Sequence, residues 1–145
     1  RAGRAEKPGL ALIQTHQPEH PVIKAIVSGD EAGFWNAESA ARELVGAPPF
    51  GRLASIVISS STEEEAFRVG TKLARHIEPL ASIDAKVFGP AVAPISRIRG
   101  RFRVRLLIKA KKSAPLQMAI KQWLLSVKLP SELKLSVDID PQSFL

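Results

Sequence analysis

For residues 51–145 the sequence predicts an α+β domain built on a four-stranded antiparallel sheet, with two helices packed against one face. Three observations carry this. Four stretches are β-branched runs or alternate apolar with polar residues, two others place apolar residues at helical spacing, and helix-opening and helix-closing residues separate the two kinds. The chain has 145 residues, of which 45% are hydrophobic. That suits one domain, or one domain plus the remnant of another, and argues against global disorder.

Leu53 to Ser59 is a β-branched run that reads as a central strand. Ser60-Ser61-Thr62 followed by Glu63-Glu64-Glu65 supplies an N-cap and first-turn acids, and a helix to about Pro79 follows. Ala66, Val69, Gly70, Leu73 and Ile77 share one face of it. Asp84 to Phe88 reads as a short strand ended by Gly89-Pro90, and Arg101 to Ala110 as a longer one. Pro115 opens a helix with Leu116, Ile120, Trp123, Leu124 and Val127 at helical spacing, and Pro130 follows its end. Leu133, Leu135, Val137 and Ile139 alternate with polar residues in a last half-buried strand. The order β-α-β-β-α-β is the split-βαβ or ferredoxin-like arrangement, which leaves one sheet face for solvent or a partner.

Upstream, Leu10 to Gln14 reads as a buried strand after a Pro-Gly turn, and is expected to belong to a larger neighbour because one strand cannot form a sheet. His20 to Ser28 and Asp30 to Val45 read as helices, with Pro21 in a first turn, Asp30 as N-cap and Gly46 as the closing glycine. Gly46 to Gly51, containing Pro48-Pro49, is the expected boundary between residues 1–50 and a C-terminal domain over 51–145.

The net charge of +7 is unevenly distributed. Residues 1–50 carry five Lys/Arg against six Asp/Glu, and residues 51–145 carry sixteen against eight. Residues 85–128 hold eleven basic residues and no acid. Such segregation points to an anionic partner, of which nucleic acid is the commonest. Arg97, Arg99, Arg101, Arg103 and Arg105 all occupy odd positions. Side chains alternate across a strand, so these should share one face wherever the segment is extended, along the open face and the preceding hairpin loop, while Phe102, Val104, Leu106 and Ile108 point to the helices; Gly100 allows a bend, which leaves the register across it open. With Lys109, they make a row of cations suited to phosphate oxygens. Base stacking is not expected, because the chain has no tyrosine and Trp123 and Phe102 read as core.

Other chemistries find little support. The chain has no cysteine, which removes disulfides, thiol nucleophiles and thiolate metal sites. His16, His20 and His76 have no metal-ligand spacing, so no metal site is expected. Asp138 and Asp140 read as exposed or capping residues at the end of the last strand. No apolar run approaches the roughly 20 residues that span a bilayer and no signal peptide opens the chain, so no membrane association and a cytoplasmic location are expected.

Several stretches carry a family resemblance: Arg1-Ala2-Gly3-Arg4-Ala5-Glu6-Lys7-Pro8-Gly9, Ile13-Gln14-Thr15-His16-Gln17-Pro18-Glu19-His20-Pro21, Pro48-Pro49-Phe50-Gly51, Gly89-Pro90-Ala91, Arg99-Gly100-Arg101-Phe102-Arg103 and Asp138-Ile139-Asp140-Pro141. Each is weak alone. In this order, across nearly the whole chain, they resemble the C-terminal end of the primosomal protein N′ family, superfamily 2 DNA helicases that restart replication at stalled forks. The resemblance implies a remnant of the second helicase lobe in residues 1–50, followed by a domain similar in shape to ribosomal protein S10. It also implies that Arg1 and Arg4 match the paired arginines of the last helicase motif, with one, Arg4 by preference, reaching the ATP γ-phosphate in the intact parent. The family's ATP, magnesium and structural zinc sites lie in regions this chain does not contain, so the fragment alone is expected to be inactive and to carry no cofactor. Implied partners are forked or single-stranded DNA, the acidic tail of the single-stranded-DNA-binding protein, and other primosome proteins. Lys111, Lys112 and Gln117 are the candidates for docking that tail, since a helix N-terminus with nearby lysines attracts a carboxylate. Two other classes share the element order: a free-standing RNA-binding protein of ribosomal type, and an acylphosphatase-like enzyme, for which the glycine-rich arginine loop after the first strand is missing.

Overall fold

The computed structural model describes residues 9–142, which fall into two compact units, one ending at Ala40 and the other beginning at Ala41. In the first, α1 (Pro21–Ser28) opens with His20, whose Nδ1 accepts from the Val22 N–H at 3.3 Å, and ends at Gly29 with φ 71°. Helix α2 (Glu31–Val45) is capped by Asp30, whose Oδ1 accepts from the Gly33 N–H at 2.9 Å. It is closed by Gly46 at φ 59°, a conformation that favours glycine. The strand expected at Leu10–Gln14 does not form. A strand needs a neighbour for its backbone groups, no partner strand exists among the described residues of this unit, and Leu10 and Leu12 are exposed.

The second unit contains β1 (Gly51–Ser60), α3 (Glu63–Arg75), α4 (Glu78–Ala81), β2 (Lys86–Ile98), β3 (Arg101–Lys111), α5 (Leu116–Leu125) and β4 (Lys134–Ile139). The strands form one sheet in the order β2-β3-β1-β4, with every neighbouring pair antiparallel. β1 and β2 therefore run the same way with β3 between them. Ala54, Ile56 and Ile58 of β1 and Val104, Leu106 and Ile108 of β3 meet Ala66, Val69 and Leu73 of α3 and Leu116, Ile120 and Trp123 of α5 in one core. Trp123 is fully buried and its indole N–H donates to the Leu73 carbonyl at 3.1 Å, joining α5 to α3.

Two boundaries differ from the sequence expectation. Helix α3 ends at Arg75 rather than near Pro79, because a proline ring at position 79 would collide with the carbonyl four residues back; Pro79 instead sits in the first turn of α4. Strand β2 does not end at Gly89-Pro90. It runs on to Ile98, with irregularities between Phe88 and Ala91 and between Val92 and Arg97 that absorb the prolines. β2 lies at the sheet edge, where a residue without an N–H can face away from the ladder. The hairpin to β3 consequently shrinks to two residues, Arg99 and Gly100, at φ 48° and 77°, as a type I′ turn demands.

Candidate nucleic-acid interface

The site grows from the alternation of β3. Its even residues enter the core, and Arg101, Arg103, Arg105, Leu107, Lys109 and Lys111 line the opposite face. Residues paired across strands share a face, so the register extends this row. Lys86 stands opposite Lys109, Phe88 opposite Leu107, and Ala91 opposite Arg105. Through Ser59, Arg103 is aligned with Lys134 of β4. The paired carboxylate on this face is Asp138, opposite Ser55.

The five arginines do not form the single row expected. A two-residue turn pairs Arg97 with Phe102, so odd residues of this part of β2 share a face with even residues of β3. Arg97 accordingly lies on the Phe102 side, its guanidinium carbon 4.9 Å from the ring centroid. Arg99 forms the exposed corner of the turn and belongs to neither face. Arg101 is half-buried, and its Nη2 donates to the carbonyls of Ser59 and Glu132, each at 2.7 Å. Arg103 gives one N–H to the Ile95 carbonyl at 3.2 Å, leaving most of its five donors for another acceptor. Arg105 stands between Val57 and Ala91. Lys109 donates to the Val45 carbonyl, one of the orphan acceptors at the end of α2.

At one end of this face a cleft of about 400 Å³ opens between the Gly46–Gly51 turn and the β2–β3 pair. Phe50, Phe88, Asp84 and the lysines Lys86, Lys109, Lys111 and Lys112 line it. Asp84 and Lys111 are 2.7 Å apart. The hydrogen bond from Lys111, then its charge, holds the Asp84 carboxyl below the ordinary aspartate value, and Asp84 raises Lys111 in return. Lys111 and Lys112 thus share a cleft, while Gln117 is not part of its lining. The Gln117 Oε1 accepts from Arg52 at 3.3 Å, and Arg52 also donates to Asp140 Oδ2 at 2.9 and 3.1 Å. Arg1 and Arg4 lie outside the described residues. The described residues contain no cluster of His, Cys, Asp or Glu able to hold a metal, and no helix long and apolar enough to cross a membrane.

Sequence reasoning missed Lys86, Phe88, Lys134 and Arg52. The first two were obscured by ending β2 at Phe88 and by not carrying the face assignment across the hairpin. Lys134 was legible from the alternation of β4, whereas Arg52 precedes the strand read from Leu53 and its contacts with Asp140 and Gln117 depend on the tertiary fold.

Fold and surface together define an α+β domain that covers one sheet face with helices and presents cations on the other. Residues 43–142 match the family described as primosomal protein N C-terminal domain. The replication restart protein PriA of Rickettsia conorii is 36% identical over 144 residues, covering 99% of this chain and 22% of the relative. Proteins of the same name from Synechocystis and Bacillus subtilis are 37% and 34% identical, covering 99% and 97% of this chain and 17% and 18% of their own lengths. The chain belongs to the primosomal protein N family, and it spans about a fifth of the length of these relatives.

Proposed function

We propose that this chain is the C-terminal part of a replication-restart DNA helicase and that its second unit, ferredoxin-like in strand order, holds single-stranded or forked DNA by the backbone on the open face of the sheet. The observation that carries the reading is the cross-strand alignment of Arg103, Arg105, Lys109, Lys86 and Lys134 on the face opposite the helices, with Asp138 as its paired acid. Guanidinium and ammonium groups on a rigid strand meet successive phosphates without ordering a loop. Residues 1–50 are the end of the second helicase lobe in this reading. ATP hydrolysis with magnesium, and structural zinc, belong to the parent's other regions, with Arg1 and Arg4 serving the γ-phosphate. Lys111, Lys112 and Gln117 dock the acidic tail of the single-stranded-DNA-binding protein, with Arg52 as a further cation beside Gln117.

The test is fluorescence anisotropy of the chain with labelled single-stranded and forked DNA across a salt series, beside an Arg103→Ala/Arg105→Ala variant. Each lost phosphate contact on a single strand lowers the slope of log K against log salt by about 0.7. The double variant should therefore lose about 1.4 from the slope and bind roughly 25-fold more weakly near 0.1 M salt. An unchanged slope, or no binding by the folded wild-type chain, removes the DNA reading of this face.

A further inference from the structure

The cleft beside the cation row has a composition that backbone binding alone does not require. Phe88 is 49% exposed on the open face. Its cross-strand neighbour is Leu107, Lys86 stands two residues away on the same face, and Lys109 lies opposite Lys86. An aromatic ring half in water among lysines contributes only part of its burial to a fold whose core lies on the other side of the sheet. The charge is also incomplete. Asp84 offsets Lys111, and Lys109 meets only a neutral carbonyl. Lys86 and Lys112 form no ion pair among the described residues. The cleft is thus strongly cationic around a flat apolar surface, and its volume falls within the range of small-ligand sites.

We propose that this cleft seats one unpaired nucleotide of a single strand, its base stacked on Phe88 and its phosphate held between Lys86 and Lys109. The inference rests on the DNA reading of the open face and adds a source of preference to it. Residues two apart on a strand are about 6.6 Å apart and cross-strand neighbours about 5 Å, so the backbone positions of Phe88, Lys86 and Lys109 are close enough for one nucleotide to reach all three side chains. Phosphate contacts alone treat single and double strands alike apart from charge density. In a duplex the bases stack on each other and none can meet the ring, whereas a single strand can turn one base out. An acidic segment without an apolar side chain would satisfy Lys111 and Lys112 and leave the ring unused.

The test compares Phe88→Ala, Phe88→Leu and Phe88→Trp by anisotropy with an oligothymidylate of about 12 nucleotides and with a duplex of equal length, each variant first confirmed folded by thermal melting. The expected result is a roughly 5- to 20-fold loss of single-strand affinity in Phe88→Ala, unchanged duplex affinity, no rescue by leucine, and affinity at or above wild type with tryptophan. If Phe88→Leu binds single strands like wild type, apolar bulk suffices and stacking is refuted. If Phe88→Ala weakens both nucleic acids equally, the ring has no role in strand preference and the proposal fails. If Phe88→Ala binds normally while Arg103→Ala/Arg105→Ala binds weakly, the nucleotide seat falls and the backbone reading stands. If neither variant weakens binding, both fall.

Discussion

Arg101 sits in the middle of a row that resembles a phosphate-binding surface, yet its contacts predict a different phenotype from its neighbours. Its Nη2 donates to the Ser59 carbonyl on β1 and to the Glu132 carbonyl before β4, each at 2.7 Å. It thereby ties the start of β3 to the central strand and to the approach of the edge strand. Hydrogen bonds from a charged donor each contribute about 1.5–3 kcal/mol. The Arg101 Nε is buried without a partner, which costs part of that gain back. The net loss in Arg101→Ala should therefore be about 2–4 kcal/mol, or roughly 10–20 °C in Tm for a domain of this size. Lysine at this position keeps the charge but presents a single ammonium on a flexible stem, so Arg101→Lys should recover less than half of the loss. Arg103→Ala gives up one solvent-exposed bond of 3.2 Å, for which water substitutes, and should cost less than about 1 kcal/mol. Thermal and urea unfolding of the three variants decide the matter. A Tm for Arg101→Ala within about 2 °C of wild type, or Arg103→Ala melting as low, would refute the division of labour between these two arginines.

Gly70→Ala would ordinarily stabilise a helix, but a Cβ there would lie 2.8 Å from Cβ of Pro90, so we expect a net destabilisation of about 1–3 kcal/mol in urea unfolding. Trp123→Phe removes the indole bond to Leu73 and leaves a void between α3 and α5; a loss of about 2–3 kcal/mol by the same assay is expected, and a neutral result would place the core contact elsewhere. Asp84, lowered by Lys111, contributes its stability above the ordinary aspartate range and loses it as pH falls through the lowered value, while Lys111, raised in turn, contributes below the ordinary lysine range and loses it as pH rises through the raised value. The pair is therefore constant from about pH 5 to 9, and NMR titration of the Asp84 carboxyl should give a midpoint below 3.8 that moves upward in Lys111→Ala.

Local chemistry was enough for the elements whose ends carry their own signals. Thr62 caps α3 through Glu65 at 3.3 Å, and the alternation of β3 correctly separated Val104, Leu106 and Ile108 from Arg101, Arg103 and Arg105. Breakers were less legible. Pro79 ended a helix as its ring geometry requires, but Gly89-Pro90 did not end a strand, because an edge position tolerates a missing donor and sequence does not say which strand is the edge. The same blindness hid Phe88 and Lys86, whose facing depends on the bulges in β2 and on the length of the turn.

What the sequence determined by itself was the succession of the four strands and two longer helices within residues 51–145, the inward parity of β3 and the gathering of cations in residues 85–128, all properties of spacing within a few residues. Only the tertiary structure decided which cations share a face, that Arg101 serves the fold, that Arg97 turns to Phe102, and that Gln117 meets Arg52 rather than the lysine cleft. Those outcomes depend on strand order, register and a two-residue turn, and such pairings join residues tens of positions apart by contacts that no local periodicity encodes.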